Sequence, residues 1–275
     1  MTLLLGLIVG AVLGLTGAGG SILAVPLLMA GLGWTLPQAA PVALLAVCAS
    51  ATFGTLVAWD VTHVRYRAAM LMGAAALFTA PLGVKAAAVL PLPILAALFA
   101  AVLAAVAVRM FAQALRAPAE AAIVRATVAG DGSVAPGRWI HLNQRGRIVW
   151  TRPAMAAVSA IGAATGFLAG LLGVGGGFVI VPALRAVSGL SMHSTIATSL
   201  MAIALISAAA VAGAVIQGVE VAWVAAVPFV AGALVGMLVG RRLAPRIAGP
   251  RLQQGFAALM LLVALGLAAH AMGLL

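Results

Sequence analysis

Apolar residues fill this chain in long runs separated by short polar breaks. Eight segments stand out: Thr2–Gly33, Pro37–Ala58, Ala68–Leu90, Leu92–Ala112, Ala154–Ser188, Thr195–Ile216, Val221–Leu243 and Leu252–Leu275. Each reaches roughly 20 residues or more, the length an α-helix needs to cross a hydrocarbon core of about 30 Å. The short alternating segments of an outer-membrane barrel do not occur. The pattern predicts an all-α integral membrane protein.

Two segments do not fit a simple span. The first and fifth, at roughly 31 to 35 residues, would make straight helices of about 45 to 50 Å. Each carries a glycine cluster, Gly17, Gly19 and Gly20 in one, and Gly173, Gly175, Gly176 and Gly177 in the other. Glycine lacks the side chain that forbids a sharp turn, so these are places where a helix can break. The expectation is a pair of half-helices in each, the second half-helix starting near Ser21 and near Phe178. Pro26 and Pro182 then fall early in those half-helices, where a missing donor bends the ladder.

The two broken segments are copies. Adding 156 to Gly6, Gly10, Gly14, Leu15, Gly17, Gly19, Gly20, Val25, Pro26, Leu28, Ala30 and Gly33 lands on an identical residue each time. A repeat at this spacing divides the chain into a first transmembrane repeat (1–112), a basic linker (113–153) and a second transmembrane repeat (154–275).

Composition agrees with the pattern: 65% of residues are hydrophobic and only 7% charged, against a usual apolar share of about 45 to 50%. The net charge of +11 would suggest nucleic acid in a soluble protein. Here the arginines fall in the breaks between apolar runs, so membrane topology accounts for them and no nucleic-acid partner is expected. Cys48 is the single cysteine and cannot form an intramolecular disulfide. The N-terminal run reads as a retained membrane segment, since it has no basic leader and no small-residue cleavage pattern.

Charge also decides how the broken segments lie. If each crossed the bilayer once, the linker between Arg109 and Arg152 and the cluster Arg241, Arg242, Arg246 and Arg251 would lie on opposite faces, against the positive-inside bias. If each is a hairpin returning to its starting face, both basic loops lie in the cytoplasm with Arg65, Arg67 and Arg185, and Glu220 lies outside. Each half then makes an odd number of crossings, and the repeats are inverted. Transporters use that arrangement to bring broken helices together near the midplane.

The broken ends carry the candidate chemistry. A half-helix starting inside the membrane points free N–H groups and the positive end of its dipole inward, where an anion can sit. The candidate substrate-binding residues are Gly17, Gly19, Gly20, Ser21 and Gln38 from the first half, and Gly173, Gly175, Gly176, Gly177, Thr195, Thr198 and Ser199 from the second. For the hydroxyls, the competing fate is a bond to a helix carbonyl one turn back. Gly6, Gly10, Gly14, Gly162, Gly166 and Gly170, spaced by four, instead suit close helix packing. Lys85 is the clear intramembrane charge, either a charge along an anion pathway or a snorkelling side chain; it corresponds to Arg241 at the same offset of 156.

The remaining chemistry is negative. His63, His141, His193 and His270 have no metal-ligand spacing, and no acid pair, nucleophile–base pair or cofactor signature appears. The chain does not read as an enzyme. Asp60, Glu120, Asp131 and Glu220 lie near segment ends, leaving no buried carboxylate for a proton relay. A coupling proton or sodium ion is a candidate partner, and a weakly acidic substrate can carry its own proton.

The doubled G-x-x-G-x-G-G-x-x-x-x-x-P-x-L, at Gly14–Leu28 and Gly170–Leu184, followed by Ala197-Thr198-Ser199-Leu200, resembles the TauE/SafE sulfite exporter family, also called the toluene sulfonate uptake permeases. The resemblance spans essentially the whole chain. It implies a bacterial inner-membrane secondary permease for small sulfur-containing anions such as sulfite or organosulfonates. The halves depart from each other at Ser21, where the second copy has Gly177, and at Val42 and Ala43, where it has Thr198 and Ser199. The second half is therefore expected to supply more polar contacts. A passive anion or small-solute channel and a non-transporting membrane scaffold are the alternatives that the residues leave open.

Overall fold

A computed structural model describes residues 1–16, 19–57, 65–116, 150–188, 192–247, 258 and 260–266. Among them the regular structure is helical. The helices are α1 (Thr2–Thr16), α2 (Ala24–Leu32), α3 (Leu36–Val57), α4 (Tyr66–Val89), α5 (Leu92–Arg116), α6 (Arg152–Leu172), α7 (Gly177–Val187), α8 (Met192–Ile216) and α9 (Trp223–Ile247), with a 3-10 helix over Gly19–Leu23 before α2. Residues 260–266 are also helical. Leu36–Val57, Tyr66–Val89, Arg152–Leu172, Ser194–Ile216 and Trp223–Leu243 are long and apolar enough to cross a membrane, and Thr2–Leu15, Ser21–Leu32 and Leu92–Val108 are shorter apolar helices. The chain is an all-α membrane protein, and most of the basic linker lies outside the described residues.

Helix ends follow local chemistry. Thr151 caps α6, its Oγ1 accepting the Ala154 N–H at 3.3 Å, and Pro153 occupies the first turn, where its missing donor costs nothing. Gly33 closes α2 in the left-handed conformation, φ +66°, and donates to the Met29 carbonyl at 2.9 Å.

Both long segments break at their glycines and double back. Were the first a straight helix, Leu5 and Gly31 would lie roughly 39 Å apart. Instead the Leu5 side chain covers Gly31 so closely that a Cβ there would come within 2.6 Å of Leu5 Cδ1. In the fifth segment, straight helix would put Thr165 and Gly176 roughly 16 Å apart, yet a Cβ on Gly176 would meet Thr165 Cβ at 3.2 Å. Each is a hairpin, α1 with α2 and α6 with α7.

The chain forms two compact units, Met1–Ala88 with Val134–Arg242, and Val89–Ser133 with Leu243–Leu275. Both combine pieces of the two sequence halves. In the first unit the directions of the helices can be read from which residues meet. Gly6, Gly10 and Gly14 of α1 lie against Phe229, Ala233 and Met237 of α9, so these two helices run parallel. Gly162, Gly166 and Gly170 of α6 lie against Met72, Ala76 and Ala80 of α4, again parallel. Gly73 meets Leu205 and Gly213 meets Pro81, which makes α4 parallel to α8.

At the centre, α3 and α8 cross in opposite directions, with Gly54 near Leu200 and the Cys48 thiol 3.6 Å from the Ala204 carbonyl oxygen. Cys48 and Ala204 are 156 positions apart, the offset of the sequence repeat. A residue that meets its own repeat equivalent lies near a two-fold axis, as in a self-complementary interface. The hairpins consequently enter this unit from opposite ends, and each packs on a long helix from the other half of the sequence. That exchange depends on glycine: a Cβ at Gly10 or Gly170 would run into the Ala233 or Ala80 backbone.

Candidate functional site

The second glycine turn connects α6 to α7 through Gly173, Val174, Gly175 and Gly176, all buried. Gly173 ends α6 at φ +70°, its N–H bonded to the Ala169 carbonyl at 2.9 Å. Gly176 precedes α7, also at φ +70°, and its N–H bonds the Val174 carbonyl. Such angles are costly for any residue with a Cβ. Space is equally restrictive, since a Cβ on Gly173 would meet Ala40 Cα at 2.5 Å and one on Gly175 would meet Ser207 Oγ at 2.7 Å. The turn is thus wedged into the crossing of α3 and α8.

The Gly176 carbonyl accepts from Val179 at 3.0 Å and Ile180 at 3.2 Å, starting α7, which has no side-chain cap. The N–H groups of Gly175, Gly177 and Phe178 have no acceptor among the described residues. In a hydrocarbon surround, where no bulk water competes, such groups form a ready site for an anion.

The first turn is built differently. Gly17 lies outside the described residues, and Gly19, Gly20 and Ser21 run on as a 3-10 helix that leads directly into α2. Ser21 is fully buried and engaged. This 3-10 helix packs against α7, so the two hairpin tips approach each other.

The other candidates divide. Thr195, Thr198 and Ser199 are all buried on the first turns of α8. Thr198 Oγ1 accepts the Arg65 N–H at 3.0 Å and so holds the start of α4, while Ser199 Oγ donates to the Ile196 carbonyl at 2.9 Å. Thr195 is engaged as well. Gln38 is exposed, and its Oε1 accepts the Thr35 N–H at 3.0 Å, capping α3. Lys85 is exposed on α4. Its repeat equivalent Arg241 is half-buried and donates to the Gly54 carbonyl at 2.7 Å.

Sequence reasoning passed over Ser50, Thr165 and Ser207. Thr165 is buried beside Gly176 and donates to the Ile161 carbonyl. The Ser50 and Ser207 hydroxyls are buried without a partner among the described residues. In the sequence each is one serine within an apolar run, with no spacing to set it apart.

A groove of about 340 Å³ between α3 and α9 is lined by Leu45, Ala49, Trp223, Ala226, Val227 and Leu234 among others. It offers no charged or hydroxyl group and does not suit an anion. Among the described residues no cluster of His, Cys, Asp or Glu could hold a metal ion.

Comparison with known proteins points the same way as the helices. Residues 2–267 match the family described as "Sulfite exporter TauE/SafE". A "Probable membrane transporter protein" of Xylella fastidiosa (strain 9a5c) is 30% identical over 247 residues, covering 89% of this chain and 84% of that protein. Its counterpart in Xylella fastidiosa (strain Temecula1 / ATCC 700964) matches to the same extent. No solved structure gives a significant match.

Proposed function

We propose, from the premise that this chain belongs to the sulfite exporter TauE/SafE family of membrane proteins, that it is a secondary permease for small sulfur-containing anions such as sulfite or organosulfonates. The observation that carries this reading is the set of buried, acceptor-free N–H groups at Gly175, Gly177 and Phe178. Within a membrane an unpaired amide costs several kcal/mol in the limit of a fully apolar surround, and an oxyanion accepts from several at once.

Further support comes from the arrangement of the hairpins. Two that enter from opposite ends around a near-two-fold crossing are what inverted repeats produce, and inverted repeats allow the same site to face either side in turn. The substrate then lies between the paired tips, and the second half gives most of the polar contacts. The positive-inside bias favours a bacterial inner membrane with the basic breaks, among them Arg65, Arg67, Arg241 and Arg242, on the cytoplasmic side. Coupling runs through a proton or sodium ion, or through the proton that a weakly acidic substrate carries itself.

Flux of labelled sulfite into proteoliposomes containing the purified protein tests the reading. Saturable uptake that follows an imposed gradient is the expected result. Conductance without saturation would replace the permease with a channel, and uptake of carboxylates with rejection of every sulfur anion would overturn the substrate class.

A further inference from the structure

We infer that Ser207 is a side-chain ligand of the anion and that the site it completes prefers a singly charged oxyanion to a doubly charged one; this rests on the reading of the glycine turns as the substrate site. Buried membrane hydroxyls normally satisfy themselves one turn back along their own helix. Ser188 and Ser199 do so, donating to the Leu184 carbonyl at 2.6 Å and the Ile196 carbonyl at 2.9 Å. Ser207 does not. It is 0% exposed, and its Oγ has no partner among the described residues.

The direction of that hydroxyl is informative. Ser207 Oγ stands 2.7 Å from where a Cβ on Gly175 would lie, so it is aimed at the turn and only a glycine lets the turn come so near. The turn presents the unpaired N–H groups of Gly175, Gly177 and Phe178, the last two opening the 11-residue helix α7. Three amides and one hydroxyl, each lacking a partner among the described residues and carried on two elements, are more than a helix start leaves over by itself. At the position 156 residues earlier the first half has Ala51.

These donors are neutral. Among the described residues, the side chains nearest to Gly173, Gly175 and Gly176 come from Ala40, Val47, Thr165, Ile203 and Ser207, none of them charged. Lys85 follows the Val84 that packs on Gly170, but it is exposed. Moving an ion out of water costs free energy that grows with the square of its charge, and neutral dipoles offset this far more readily for a monoanion. A sulfonate or hydrogen sulfite suits such a site better than sulfate or the sulfite dianion.

Isothermal titration of the purified full-length protein with methanesulfonate and with sulfate tests both parts. The wild type is expected to bind methanesulfonate more tightly than sulfate. Ser207→Ala should weaken methanesulfonate binding about ten-fold or more, the usual scale for a hydrogen bond to a charged group. Without ligand, Ser207→Ala should melt at the wild-type temperature or above it, because only an unpartnered hydroxyl has been removed from the interior. Equal affinity in wild type and variant, or a lower melting temperature of the ligand-free variant, would show that Ser207 is no ligand. Sulfate bound as tightly as methanesulfonate would overturn the charge preference. If the wild type took up neither these anions nor sulfite, the reading of the turns as the substrate site would fall too.

Discussion

The two glycine turns share their motif and differ in what they do with it. In the first, Gly19, Gly20 and Ser21 stay in helical dihedrals as a 3-10 helix, and the chain passes into α2 through Leu23 at φ −82°. In the second, Gly173 and Gly176 both adopt φ +70°, so the helix ends outright and α7 begins anew. In sequence the second turn has Val174 for Ala18, Gly177 for Ser21 and Phe178 for Ile22, and Ser207 stands where the first half has Ala51. A duplicated motif therefore supplies two hairpins whose backbones differ at the turn.

If the halves are equivalent in packing even though they differ at the turns, the largest effects should be symmetric. Gly10→Leu puts side-chain atoms where the Ala233 backbone lies, and Gly166→Leu does the same at Ala76. Backbone cannot rotate away as a side chain can, so each should cost about 3 kcal/mol or more, at or beyond the upper end of overpacking. Thermal unfolding of the purified variants checks this. A large loss in one and none in the other would break the reciprocity of the two hairpins.

Backbone strain and crowding act together at the second turn. Gly173 and Gly33 have nearly the same φ, +70° and +66°, but a Cβ on Gly33 meets nothing within 4 Å while one on Gly173 meets Ala40. Gly33→Ala should show the left-handed penalty alone, about 1 to 2 kcal/mol. Gly173→Ala adds the clash, for about 2 to 5 kcal/mol in all, and should abolish flux. Equal losses in melting experiments would mean that the wedge between α3 and α8 is not tight.

Much of this was legible in the sequence because membrane helices leave strong marks. Length and the absence of charge gave the spans, glycine clusters in over-long segments gave the hairpins, and arginine placement favoured folding back over crossing. Spacing by four in Gly6, Gly10 and Gly14 announced a contact face but could not say whose. That α1 packs on α9 and α6 on α4 is a fact of tertiary structure. For the same reason Ser207 could not be told from any other serine, since its meaning depends on Gly175 lying beside it. Gln38 carried an overlooked local signal, for Thr35-Leu36-Pro37-Gln38 has the spacing of a capping box, and its side chain does bond the Thr35 N–H.

Thr198 sharpens the expectation that polar contacts come from the second half, because its first-half equivalent is Val42. Its hydroxyl oxygen already accepts the Arg65 N–H at 3.0 Å. Thr198→Val keeps the shape and removes the acceptor of the Arg65 N–H bond, at a cost of about 1 to 2 kcal/mol. Melting temperature should fall while the KM for sulfite flux stays at the wild-type value. A raised KM without loss of stability would move Thr198 from anchoring α4 to binding substrate.

The smallest effect is expected at the charge pair related by the repeat. Arg241 is tied to the Gly54 carbonyl at 2.7 Å, whereas Lys85 is exposed on α4. An exposed lysine near the end of a membrane helix keeps its stem in lipid and extends its ammonium toward the interface. Lys85→Met replaces that stem with a side chain of similar reach and removes only the charge. Sulfite flux at matched expression and the melting temperature should both be unchanged. A several-fold drop in flux at constant stability would instead place the Lys85 charge on the anion pathway, and would give the first half a functional contact that the second half lacks.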